Sequence, residues 1–189
     1  QPVDLPVVTI ICAESPDRIY DHIISAYVRV GYAPEHGETY VCHSHTSWED
    51  LFTFILRWSG AHRHNRADRL YCLAAIDKLS FELQRKLVSA VHDVIYHAQN
   101  SLVVVSGIAE NQHFITQFSH FKNNIPALPA HILREFVSEL SANYSNGIRV
   151  FTGMHAGCGK TFQVRRTARE AYSEYFRFPV LSCSNFLDE

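Results

Sequence analysis

Charge of either sign is sparse, and neither sign prevails. The chain sets 17 lysines and arginines against 19 aspartates and glutamates, for a net charge of -2. So balanced a chain argues against a nucleic-acid or polybasic membrane surface. Long apolar runs are missing as well. None reaches the roughly 18 residues of a membrane-spanning helix, and no signal-peptide pattern or lipidation motif is present. Cys12, Cys42, Cys72, Cys158 and Cys183 include no C-x-x-C pair, which excludes a RING finger or other zinc module of that spacing. Five is an odd number, and three of these cysteines lie in apolar runs. Reduced, buried thiols and a reducing, cytoplasmic compartment are therefore expected. The first residue is Gln1 rather than methionine, so a segment of something longer is expected.

What is present is an ordinary globular composition: 47% of the 189 residues are hydrophobic, enough for one α/β domain or slightly more. Val7 to Ala13 is a β-branched run. A helix follows, with Ile19, Ile23, Ile24, Tyr27 and Val28 at helical spacing up to Gly31. Thr39 to His43 reads as a second strand, and Ser47 caps a helix that ends at Gly60. Ala61 to Arg69 is a polar loop, Leu70 to Ile76 a third strand ending in Asp77, and Ser80 caps a helix from Phe81 to about Gln99. Leu102 to Val105 is a fourth strand, closed by Ser106 and Gly107. A looser stretch from Glu110 to Leu128 precedes a helix from Ala130 to about Ala142. Uniformly apolar strands alternating with helices predict a three-layer αβα architecture around a parallel sheet.

The remaining segment carries the sharpest chemistry. The strand Ile148 to Phe151 leads into His155-Ala156-Gly157-Cys158-Gly159-Lys160-Thr161-Phe162, and a helix is expected from about Lys160 to Phe176, then a strand from Phe178 to Ser182. Strand, glycine-rich turn and helix start are the context of a phosphate-binding loop. Gly157 and Gly159 permit a tight turn of inward N–H groups, and the helix start adds its positive dipole end. Lys160 would reach the β- and γ-phosphates of ATP, and the Thr161 hydroxyl would hold Mg²⁺. In G-x-x-x-x-G-K-[ST] the first glycine falls at Met154; Gly153 stands one residue early, so a different turn of entry is expected.

The order is unusual, because a phosphate loop ordinarily follows the first strand. Here Leu70 to Asp77 resembles a Walker B strand and Leu102 to Ser106 the sensor strand after it, yet both precede the loop. Lys78 stands where a hydrolytic glutamate would, and the turn Ala13 to Asp17 has neither glycine nor lysine. Two accounts fit. Either residues 1–145 are a degenerate AAA-like module and 146–189 open a second one, or a single sheet recruits Ile148 to Phe151. The first is favoured.

The strand ending in Asp77-Lys78-Leu79-Ser80, the capped segment His45-Thr46-Ser47-Trp48-Glu49-Asp50 and the loop Met154 to Thr161 followed by Val164-Arg165-Arg166 resemble the mysterin family. Its members are giant dynein-like AAA+ proteins that also carry a RING finger and act as E3 ubiquitin ligases. The resemblance implies a slice of the AAA core at the junction of an inactive module and a nucleotide-binding one, with neighbouring AAA modules of the same longer chain as partners. It implies a cytosolic ATP-binding ubiquitin transferase as parent, linked to lipid droplets and antimicrobial defence. It carries a role only to Gly157 through Thr161, as phosphate and Mg²⁺ binders.

Other constellations favour plainer readings. Cys42, His43, His45, His62 and His64 fit no zinc-finger spacing, and on a strand Cys42 and His43 point to opposite faces. Cys158 is an oxidisable thiol beside Lys160 or simply a small loop residue. Asp77 is a Mg²⁺ ligand or the cap of a buried strand, with the cap favoured. Arg165, Arg166 and Arg169 are a solvated basic face before they are phosphate contacts. Three functions result: an ATP-binding AAA+ segment without its own hydrolytic base, a scaffold with a vestigial loop, and a small phosphotransferase. The last is disfavoured because only 28 residues follow Thr161.

Overall fold

The computed structural model describes residues 7–64, 66, 68–108, 112–144, 162 and 166. Four strands, β1 (Val8–Cys12), β2 (Thr39–Val41), β3 (Tyr71–Ala74) and β4 (Leu102–Ser106), form one parallel sheet in the order β1-β4-β3-β2. β3 and β4 are buried along their whole length and β1 in all but its last residue, as strands covered on both faces must be; the edge strand β2 is only half-buried.

The connections explain the layers. From β1 the chain runs through α1 (Ile19–Val30) to the far edge at β2, then steps back through α2 (Trp48–Gly60) to β3 and through α3 (Phe81–Val94) to β4. Right-handed crossovers in opposite directions put α1 on one face and α2 with α3 on the other. Accordingly α1 packs under β3 and β4, while α2 and α3 pack on each other. The expected α/β architecture is thus present. Gly31, at φ 79°, ends α1 in the left-handed conformation. A reciprocal capping box between Ser47 and Asp50 starts α2. Ser80 caps α3 through the Leu83 N–H.

Three local expectations are corrected. α3 stops at Val94 rather than near Gln99. The Asn100 side chain binds the carbonyls of Arg66 and Arg69, which pulls the chain off the helix axis before β4. The polar stretch after α2 begins with a 3-10 turn, Ala61–His64. The looser stretch holds α4 (His113–Gln117) and a 3-10 turn, Ser119–Phe121. Phe114 and Phe118 anchor it in the core, and Gln84 on α3 accepts the Phe114 N–H at 3.2 Å. Beyond it, the Asn123 N–H donates to the Ile10 carbonyl at 2.8 Å and Lys122 bridges Ile10, covering the outer edge of β1.

The chain divides into two compact units, residues 1–140 and 141–189. α5 (Ala130–Tyr144) packs Leu133 and Phe136 against the core of the first and exposes Val137. In the second, Phe162 and Arg166 are both helical and exposed. The strands expected at 148–151 and 178–182 lie outside the described residues.

Candidate functional site

In an open parallel sheet, ligands bind beyond the C-terminal ends of the strands where connections diverge, which here is the end of β1 beside β4. Cys12 pairs with Ser106 and Ala74 with Val105, so the turns leaving β1, β3 and β4 meet at one edge. A phosphate-binding sheet would need a roomy, donor-lined turn after β1. This one is closed.

Its closure has three parts. The Ala13 N–H donates to the Ser106 carbonyl at 2.8 Å, tying the turn to β4. Pro16 then lies on Gly107 so tightly that a Cβ added to Gly107 would fall 2.9 Å from Pro16 Cα and 3.0 Å from Ile19 Cδ1. Finally, the Glu14 carboxylate bonds the buried His22 imidazole at Nε2, 3.1 Å away. An incoming phosphate would meet a carboxylate and a proline without an N–H, where a phosphate loop offers a lysine and a nest of amides.

Asp77 belongs to this edge. Ala75 adopts φ 57° and ψ 39°, the left-handed conformation, and turns the chain out of β3 into the 3-10 turn Ile76–Lys78. Asp77 Oδ1 then accepts the Gly107 N–H at 2.7 Å. Its Oδ2 is buried without a hydrogen-bond partner among the described residues. Asp77 therefore caps β3 onto the end of β4, in agreement with the plainer reading. Lys78 is exposed, so no carboxylate follows Asp77.

Of the residues expected to bind nucleotide, His155, Ala156, Gly157, Cys158, Gly159, Lys160 and Thr161 lie outside the described residues. Phe162 is helical and 73% exposed. Arg166 is also helical and exposed, and Arg165 and Arg169 lie outside the described residues. The histidine cluster does not assemble. Cys42 is buried, with its thiol pKa pushed up to about 12 chiefly by burial, whereas His43 and His45 are exposed and bond each other through His43 Nδ1 and the His45 N–H. No group of three or more metal-ligating side chains occurs among the described residues.

The family described as RNF213 AAA domain matches residues 8–124, well over half of the chain. The chain belongs to that family. It is an AAA segment of a mysterin-like protein, as its motifs implied. No curated protein and no solved structure matches it. The matched AAA region runs from the first residue of β1 to just past the Lys122 bridge on its outer edge, and so contains all four described strands. It contains the closed turn and Asp77 but not the loop Gly157 to Thr161. No helix among the described residues is long and apolar enough to cross a membrane.

Sequence reasoning missed the contact between Pro16 and Gly107, the left-handed Ala75 and the Glu14–His22 pair. Only the first had a signal, a glycine directly after an apolar strand, which marks close backbone approach.

Proposed function

We propose that this segment is a nucleotide-responsive AAA+ scaffold in which residues 8–124 have given up the phosphate site and ATP binds instead at the loop from His155 to Phe162. Lys160 contacts the β- and γ-phosphates, Thr161 ligates Mg²⁺, and Gly157, Cys158 and Gly159 supply backbone donors. Residues 1–145 form the degenerate module, and 146–189 open the next module of a longer chain. The observation that carries this reading is the closed β1–α1 turn, where Pro16 fills the space against Gly107 and Glu14 opposes anions.

Nucleotide then acts mainly as a clamp between neighbouring AAA modules, and this segment contributes no hydrolytic base of its own, because Lys78 follows Asp77 where a hydrolytic glutamate would stand. A ligand bound only to the folded form stabilises it by mass action. The parent is a cytoplasmic ATPase and RING-type E3 ubiquitin transferase whose ligase chemistry lies outside this segment. The second reading is a pure scaffold with a vestigial loop, favoured by the Met154 departure from the motif.

Thermal unfolding with Mg·ATP and Mg·ADP, with phosphate release followed in the same samples, separates the two readings. Stabilisation by nucleotide that Lys160→Ala abolishes, without turnover, is expected. Equal behaviour of wild type and Lys160→Ala would leave the vestigial-loop scaffold.

A further inference from the structure

At the other end of the sheet, before β2 and β3, lies a cleft of about 490 Å³ whose lining includes His36, Arg57, His64 and Arg66 above Leu56 and Tyr71. It holds two guanidinium groups and two imidazoles, and no carboxylate among its described lining residues, in a chain whose net charge is -2. β3 spans four residues, so the cleft and Asp77 are separated by roughly 13 Å of strand.

The two arginines differ in their engagement. Arg66 is held from outside the lining by Glu35 at 2.5 Å and by Glu38 at 3.4 Å. Glu38 is fully buried and bound at 2.7 Å by both Nε and Nη2 of Arg69, so its charge is already met. Arg57 has no acidic partner among the described residues. It is laid against Gly37: a Cβ there would fall 2.6 Å from Arg57 Nη1, and Gly37 adopts φ 86°. A glycine thus makes room, at the mouth of the cleft, for a guanidinium that has no acidic partner among the described residues.

We propose that this cleft binds a small molecule bearing two or more phosphate groups, with Arg57 as its principal contact. A guanidinium offers paired N–H donors that match phosphate oxygens. Donors at positions 36, 57, 64 and 66 surround a space too large for one phosphate and call for an anion with several acceptors. Leu56 and Tyr71 accept an apolar portion of the same molecule. The described residues that line the cleft all fall between positions 36 and 71.

The test titrates the full chain carrying Lys160→Ala, which removes the lysine of the other candidate phosphate site, with tripolyphosphate and with inorganic phosphate at fixed ionic strength. Calorimetry and amide shifts at His36, Gly37 and Arg57 are the readouts. Saturable one-to-one binding of tripolyphosphate, tighter than that of phosphate, is expected. In the same background Arg57→Gln weakens it about tenfold or more, as loss of a charge-assisted hydrogen bond does. Thr53→Glu, which adds a carboxylate to the cleft wall and leaves Arg57 in place, does the same. Absence of saturable binding, equal affinity for the two anions, or binding that either variant leaves unchanged would overturn the proposal.

Discussion

Asp77 Oδ1 lies 2.7 Å from the backbone nitrogen of Gly107, joining the C-terminal ends of two neighbouring strands. In a nucleotide-binding sheet an aspartate here would face a metal ion; in this one its lone pair is spent on the backbone. Asp77→Ala would leave the Gly107 N–H without its acceptor and is expected to cost about 2 kcal/mol, within the range for a charged hydrogen bond. Asp77→Asn keeps an acceptor and is expected to cost about half as much. Urea unfolding of the three proteins measures both. An Asp77→Ala variant of unchanged stability that no longer responds to Mg·ATP would instead assign the side chain to a metal.

Gly107→Ala tests the closed turn directly. The added methyl would fall 2.9 Å from Pro16 Cα, against backbone rather than a yielding side-chain end. Overpacking of this kind costs about 1–3 kcal/mol. Thermal unfolding of Gly107→Ala, and of the same change combined with Ile19→Val, which removes the Cδ1 that lies 3.0 Å from the added methyl, would show whether the side-chain part of this contact carries any of the cost. Full additivity of the two changes would mean that it does not.

Ala75→Gly is expected to stabilise the protein. Alanine at φ 57° pays roughly 1–2 kcal/mol for the left-handed conformation. Glycine removes that cost but loses about 0.5–1 kcal/mol more chain entropy on folding. A gain of about 0.5–1 kcal/mol in denaturant unfolding should remain. Loss of stability would show that the alanine methyl contributes more by packing than the conformation costs.

The Glu14 carboxyl is held below its ordinary value near 4.5, first by hydrogen bonding to its own backbone and then by the His22 side chain. A carboxyl that binds its proton more weakly when folded stabilises the fold above its unfolded value. That contribution disappears as pH falls below 4.5 toward the folded value. Its side chain is 62% exposed, so solvent keeps the effect to a few tenths of a kcal/mol. Wild type should therefore exceed Glu14→Gln slightly at neutral pH, and the two stability curves should meet on acidification. A constant offset across the acid limb would count against a stabilising role for the Glu14 carboxylate.

The strands were readable because burial on both faces demands unbroken apolar runs, as in Val103-Val104-Val105. The helix starts at Ser47 and Ser80 were readable because capping chemistry is local. α4 was not, since five residues make little more than one turn and show no period; Phe114 and Phe118 reveal it only through the core they fill. At the site, the lack of a glycine and a lysine in the turn after β1 was readable directly from the sequence. How the space was closed depends on Gly107, which lies 91 positions from Pro16 and meets it only through the pairing of β1 with β4. Likewise Asp77 as a cap could be favoured but not settled, because its partner is a backbone N–H on another strand.

The buried thiols supply a further test. Cys72 is fully buried on β3 and Cys42 nearly so, and burial pushes both thiol pKa values up to about 12. For Cys42 the charge of Asp77 adds to the same effect. Only the thiolate attacks alkylating reagents, so at pH near 8 each folded thiol holds roughly one part in ten thousand of the reactive form, behind close packing. Iodoacetamide with peptide mapping should therefore modify Cys42 and Cys72 only after denaturant is added, with protection lost in step with global unfolding. Modification of Cys42 in the native protein at a rate independent of denaturant would show that the β2 edge opens locally. In that case the sheet would be less cooperative than its continuous core implies.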